Sequence, residues 1–207
     1  MCTVNDQRIV VELLQSTDDQ SLSGRLACVD DEGVSAMQFL HADLAYDWFE
    51  ETEMKVKMPS GGIASERLRY ADPVAFITLK TIAFDHRREP KDVADLIHVM
   101  RFWGSPSPNI DQLVMTFRKR IENGLHVEAL QKTIDLLERH FCDEPEIEGW
   151  EKEAPAMLAS FYQIGQPESD DRIREQREVS ALVTYFVKEV RGCVRQRLGH
   201  LNNIFVA

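Results

Sequence analysis

The chain lacks most of the features by which a sequence declares its chemistry. Its four cysteines, Cys2, Cys28, Cys142 and Cys193, lie far apart with no Cys-x-x-Cys pair. That argues against a zinc site and a disulfide framework, and for free thiols in a cytoplasmic protein. No run approaches the roughly 18 to 20 apolar residues that cross a bilayer. Met1 to Gln7 show no basic region followed by an apolar stretch, so no secretory signal is expected. The six histidines have no His-x-x-x-His spacing, which leaves surface or helix-packing roles for them. Ser60 and Ser65 stand near glycines without forming a Gly-x-Ser-x-Gly elbow, which removes a serine hydrolase. Positive charge is scarce as well: 24 Lys and Arg face 35 Asp and Glu, a formal net charge of −11. Such a surface repels a phosphate backbone, so any contact with nucleic acid has to come from a local basic patch.

What is present suits an α+β fold. With 43% hydrophobic residues over 207 positions, the chain can build a real core in one large domain or two small ones. Asn5 to Gln15 reads as a short helix capped near Asn5 or Asp6, with a strand as the alternative. Arg25–Val29 and Val34–Leu40 flank the turn-like Asp30-Asp-Glu-Gly33 and read as a hairpin. Glu53–Met58 alternates polar with apolar as a third strand, Ser60-Gly-Gly62 is a turn, and Arg67–Ala71 is a last short strand. Helices follow. Asp72-Pro73 pairs a capping residue with proline at the first helical position, and Pro90 opens a second helix that stops at Gly104. Ser105-Pro-Ser-Pro108 is the clearest break, dividing the chain into domains 1–104 and 105–207. Beyond it, helices are expected around 109–122, 126–141, 151–163 and 169–198, packed as an antiparallel bundle. Trp48, Trp103 and Trp150 each adjoin apolar helical stretches and are expected in the core or at its rim.

The informative segment is Leu79 to Leu96. Lys80 and Arg87 are seven positions apart, two helical turns or roughly 10 Å, so both project from one face with small Ala83 between them. The chain then turns near Glu89-Pro90, and the next helix begins with Lys91 and Asp92, close to Arg87 and Arg88. Cations gathered with one or two carboxylates at a helix junction suit a nucleoside triphosphate. Charge alone also fits a plainer arrangement, the solvated faces of two helices with Lys91 and Asp95 as an i,i+4 pair contributing only about 0.2 to 0.5 kcal/mol.

The pattern Lys-x-x-Ala-x-x-x-Arg followed by Lys-Asp-x-x-Asp-Leu, met by Lys80, Ala83, Arg87, Lys91, Asp92, Asp95 and Leu96, resembles the two downstream motifs of the AbiEii/AbiGii nucleotidyltransferase toxins. The resemblance is best over residues 68–103 and extends weakly over most of the chain. It implies a small mixed sheet of a nucleotidyltransferase-like fold followed by a helical bundle, in a toxin-antitoxin or abortive-infection system. The implied activity is transfer of a nucleotidyl group from a nucleoside triphosphate, with Mg2+, to an acceptor such as RNA. On that basis Lys80 and Asp92 would be catalytic, Lys80 on the triphosphate and Asp92 on the acceptor hydroxyl. Arg87 and Arg88 would contact the triphosphate, Lys91 would bind or orient phosphate, and Asp95 would orient Lys91 through the i,i+4 pairing. An antitoxin or other protein partner, or a homodimer, would complete the assembly.

The family's metal-binding carboxylates are not found. Gly61-Gly62 has no Asp-x-Asp downstream, Glu51-Thr-Glu53 has no glycine turn upstream, and the strand expected to carry a third acid offers Gln38. An amide cannot supply the negative charge that a magnesium site needs. The simplest expectation is that the missing strands lie upstream of Met1. The other is a degenerate relative in which Asp30, Asp31 or Asp43 has another task. Weak or no catalysis is expected, and a non-catalytic scaffold of the same fold is the alternative.

Overall fold

The computed structural model describes residues 2–4, 7–9, 13–29, 34–104 and 109–204, with side chains described only between 13 and 193. The architecture is α+β. It divides into two compact units, Met1–Tyr70 and Ala71–Ala207.

In the first unit, β1 (Cys2–Val4) pairs antiparallel with β2 (Gln7–Ile9). A three-stranded sheet follows, made of β3 (Leu14–Thr17), β4 (Leu26–Cys28) and β5 (Ser35–Leu40) in the order β3-β5-β4. It is mixed: β5 runs parallel to β3, with Leu14 opposite Met37, and antiparallel to β4, with Ala27 opposite Ala36. Of the two readings of Asn5–Gln15, the described residues favour the strand over the helix, with strands at Gln7–Ile9 and Leu14–Thr17. The apolar spacing there did not exclude a strand, and residues 5, 6 and 10–12 lie outside the described residues. The expected hairpin of 25–29 with 34–40 is present as β4 and β5, and its turn, 30–33, lies outside the described residues.

A single helical turn, α1 (Leu44–Asp47), leads into a long ribbon of β6 (Phe49–Lys57) and β7 (Ile63–Ala71). Contacts between Glu50 and Tyr70, Glu51 and Arg69, and Met58 and Gly62 share one antiparallel register with no bulge. Both strands are longer than the sequence suggested. Alternation that is exposed on both faces carries no burial signal by which to place the strand ends.

The second unit holds six helices among the described residues: α2 (Pro73–Arg87), α3 (Pro90–Phe102), α4 (Ile110–Asn123), α5 (Val127–Phe141), α6 (Glu153–Phe161) and α7 (Asp170–Ile204). Asp72 caps α2 as expected, its Oδ1 accepting from the Ala75 amide at 2.8 Å. Its Oδ2 accepts from Arg120 on α4 at 2.6 and 3.0 Å, so one buried carboxylate starts one helix and holds the end of another. Gly124, with φ 78°, ends α4 in the left-handed conformation that a Cβ disfavours. Helix α2 lies at the centre, packed on α3, α4 and α5, while α7 runs along α4, α5 and α6. Val74, Ile77, Phe84, Leu96, Phe117, Leu130, Ile134, Val179 and Phe186 are among the buried side chains. Phe117 and Phe186 meet edge to face with centroids 4.8 Å apart.

Helices α3 and α4 flank the Ser-Pro segment 105–108 and belong to the same unit, so the division expected there falls instead between Tyr70 and Ala71. Prolines can join packed helices as readily as they separate domains, and the apolar faces on both sides of this segment are buried together. Among the described residues no helix is long and apolar enough to cross a membrane.

Candidate functional site

Helix α2 ends because Arg88 turns left-handed, at φ 53° and ψ 41°, with its amide donating to the Phe84 carbonyl. Glu89 is extended, as the residue before a proline must be, and Pro90 then starts α3. This tight reversal lays the first turns of α3 against α2, and five of the six expected site residues meet there. Lys80 Nζ donates to Asp92 Oδ1 at 3.1 Å and to Asp95 Oδ2 at 2.7 Å. Arg87 grips Asp92 with two prongs, Nε to Oδ2 at 2.6 Å and Nη2 to Oδ1 at 2.7 Å. Lys91 donates to Asp95 at 2.5 Å. The cluster is thus three cations around two carboxylates, with one net positive charge.

Exposure grades across it. The Asp92 side chain is 1% exposed, Lys80 22%, Arg87 51% and Lys91 69%. Burial alone would raise the Asp92 carboxyl, but the hydrogen bonds and charges of Arg87 and Lys80 outweigh it and hold the group below its ordinary value. Asp95 behaves alike: burial raises it, and Lys80 and Lys91 bring it below the usual range. Asp92 is therefore an ionised internal anchor, with both oxygens occupied by cations. A direct contact with an acceptor hydroxyl, the role expected for it, needs an oxygen facing solvent, and this geometry offers none.

Magnesium does not fit among these side chains. Both acids are neutralised by lysine and arginine, and a dication would have to displace them against three positive charges. Gln38, where the family resemblance places an acid, lies on the central strand of the mixed sheet in register with Gln15.

Arg88, expected in the same cluster, is directed elsewhere. Its Nη1 lies 3.2 Å from His140 Nδ1 and 3.3 Å from Glu153, and the guanidinium rests 5.3 Å from the Phe84 ring centroid. His140 Nε2 lies 2.9 Å from Asp85 Oδ1, which also faces Arg139 at 3.6 Å. A guanidinium can only donate, so Nδ1 must accept and Nε2 must carry the proton. This fixes a neutral tautomer bridging α2 to α5. The sequence reading missed His140, because 55 positions separate it from Asp85 and spacing cannot register a partner brought in by tertiary packing.

The bridge predicts a pH dependence. Burial pushes the His140 pKa below its ordinary 6.5, and Arg88 and Arg139 push the same way against Asp85. As pH falls below that value the unfolded chain takes up the proton first, so this contribution to stability is complete above 6.5 and is lost as pH falls toward the folded value. Urea unfolding of the native chain should therefore show stability declining from about pH 7.5 to about pH 5.5, and His140→Gln should flatten the decline. An unchanged slope in the variant would remove His140 as its source.

The tryptophans lie where expected, with Trp48 buried and Trp103 and Trp150 half-buried, Trp150 beneath Arg177 at 4.8 Å. Of the three cysteines whose side chains are described, Cys142 is buried with its thiol pKa pushed up by that burial, Cys193 is half-buried and Cys28 exposed, and none of them forms a disulfide.

No family model, curated protein or solved structure matches this chain.

Proposed function

We propose that the chain is a nucleotidyltransferase-like protein of the AbiEii/AbiGii kind, from a toxin-antitoxin or abortive-infection system, in which the α2–α3 junction holds the phosphates of a nucleoside triphosphate. The observation that carries this is the convergence of Lys80, Arg87 and Lys91 on Asp92 and Asp95 across two helices. The carboxylates position the cations, and the more exposed Lys91 and Arg87 present positive charge to solvent beside the first turn of α3. Charge-assisted hydrogen bonds of this kind are the strong ones for phosphate oxygens. Lys80, less exposed and shared between two acids, keeps the helices in register. With both acids committed to cations the junction supplies no carboxylate for two-metal transfer. The chain is accordingly assigned nucleotide holding with weak or no transfer, an RNA acceptor and an antitoxin being the partners implied.

The test is calorimetric titration with each of the four nucleoside triphosphates in magnesium, followed by incubation with labelled triphosphate and total RNA. Lys91→Ala and Arg87→Ala should each weaken binding by about tenfold, the loss of one charge-assisted contact. Lys119→Ala, an exposed lysine of α4, should leave binding unchanged. Equal affinity in all three variants would sink the reading.

A second reading is favoured by one specific observation, the burial of Asp92 with both oxygens bonded. In it the cluster is a structural pin of a non-catalytic scaffold. Absence of triphosphate binding, together with strong destabilisation by Asp92 substitution, would select it.

A further inference from the structure

Among the described residues the β6–β7 ribbon is a two-stranded sheet, and every residue of β6 from Glu51 to Lys57 is exposed. Charges usually blunt such an edge. Here their order does something else. The sequence Glu51-Thr-Glu53-Met54-Lys55-Val-Lys57 is acidic before Met54 and basic after it, with all four charges at odd positions and hence on one face. Glu51 is bonded to Arg69 and Glu53 to Ser65 across the hairpin, whereas Lys55 and Lys57 have no acid facing them on β7. On the opposite face Met54, Val56, Met58, Leu68 and Tyr70 are each at least 41% exposed.

The backbone parity is also determined. Just past the strand ends, the Met58 amide donates to the Gly62 carbonyl at 3.1 Å, in register with Lys57 of β6 opposite Ile63 of β7. In an antiparallel ladder successive residues alternate between partners, so even positions of β6 bond toward β7 and odd positions direct their amides and carbonyls to the free edge. A strand added there must pair odd with odd.

We propose that β6 is a self-association edge, on which a second copy of this chain docks antiparallel about a two-fold axis at Met54 to form a four-stranded sheet, β7-β6-β6-β7. In that register Glu53 lies opposite Lys55 of the second copy and Glu51 opposite Lys57, each twice by symmetry, and all four pairs occupy hydrogen-bonded positions. Met54 meets its own copy, and Thr52 meets Val56, at the closer non-bonded positions. Sliding the register by two residues either way puts Glu53 opposite Glu53 or Lys55 opposite Lys55, like charges that a cross-strand pair disfavours. Parity and charge therefore select the same alignment, and the two unpaired lysines gain the acids that the hairpin does not give them. The partner chemistry is that of this strand itself, and the interface is distinct from the α2–α3 junction.

The test uses the full chain in sedimentation equilibrium, with far-UV circular dichroism to confirm folding. The native chain should have twice the monomer mass. The double variants E51K/E53K and K55E/K57E each place like charges at all four positions and should raise the dissociation constant at least tenfold. Mixed in equal amounts, the two variants restore opposite charge at every position and should form a one-to-one heterodimer. A monomeric native chain, variants that still dimerise alone, or folded variants that fail to pair when mixed would each overturn the proposal.

Discussion

Asp92→Ala is expected to lower the free energy of unfolding by about 3 kcal/mol, the low end for breaking a buried ion pair. Asp92 is the only fully buried carboxylate at the α2–α3 junction, and its two oxygens receive three hydrogen bonds from Lys80 and Arg87. Removing it takes a partner from two cations. Lys80 retains Asp95 at 2.7 Å, and Arg87 is exposed enough to return to water, which keeps the cost from reaching the top of the range. Arg87→Ala should cost less, about 1 to 2 kcal/mol, since it empties Asp92 Oδ2 but leaves Oδ1 bonded to Lys80. The contrast is measured by guanidinium denaturation at neutral pH. Because the Asp92 pKa is depressed, its contribution is present above the ordinary carboxyl value of 3.8 and is lost as pH falls through the folded value. The gap between native chain and variant should therefore narrow in acid. Equal costs for the two substitutions would show that Asp92 is not the anchor.

Gly149→Ala should be at least as damaging, at about 3 kcal/mol or more, for a reason that involves no charge. A Cβ on Gly149 would sit 2.0 Å from the Phe141 carbonyl oxygen, 2.5 Å from Ser180 Oγ and 2.9 Å from the Cys142 carbonyl carbon. The nearest of these is backbone and cannot move aside. The same spot closes the end of α5: Ser180 donates to the Phe141 carbonyl at 2.7 Å, and Gly149 donates to Asp143 at 2.7 Å. In the adjoining turn the nearly buried Lys152 donates to the Arg139 carbonyl at 2.8 Å and to Glu144 at 2.7 Å. Displacing the turn adds lost capping bonds to overpacking of about 1 to 3 kcal/mol. In a chain of this size the melting temperature should fall by roughly 6 to 12 °C. Gly192→Ala is the control. Nothing lies within 4 Å of a Cβ there, so in the interior of α7 the change should stabilise by roughly 0.5 to 1 kcal/mol. A mild effect at Gly149 would mean that the 149–151 turn is not packed as described.

Much of the second unit could be read from sequence because its signals are local. Asp72-Pro73, Glu89-Pro90 and Gly124 act within one or two turns of themselves, and the apolar stripe from Val93 to Met100 shows its period without reference to any partner. The same locality made Lys80, Arg87, Lys91, Asp92 and Asp95 recognisable as a group, since only 15 positions and one tight reversal separate them. What escaped depends on distance along the chain. The parallel pairing of β3 with β5, the bond from Arg120 to Asp72 and the bridge from Arg88 through His140 to Asp85 each join segments that no spacing rule connects. Arg88 is instructive: its neighbour Arg87 lies in the cluster, yet a left-handed backbone turns Arg88 toward α5 instead. Burial was also beyond the sequence, and it is burial that recasts Asp92 from a reactive group into an anchor.

The choice of residue at the end of α2 carries a further consequence. Glycine would adopt the φ of 53° at position 88 without penalty, whereas arginine accepts steric crowding worth about 1 kcal/mol. That crowding persists because the side chain is held at its far end by an imidazole, a carboxylate and an aromatic face. The helix terminus and the interhelix bridge are thus a single mechanical joint: releasing the guanidinium removes the reason for the unusual backbone, and relaxing the backbone withdraws the guanidinium.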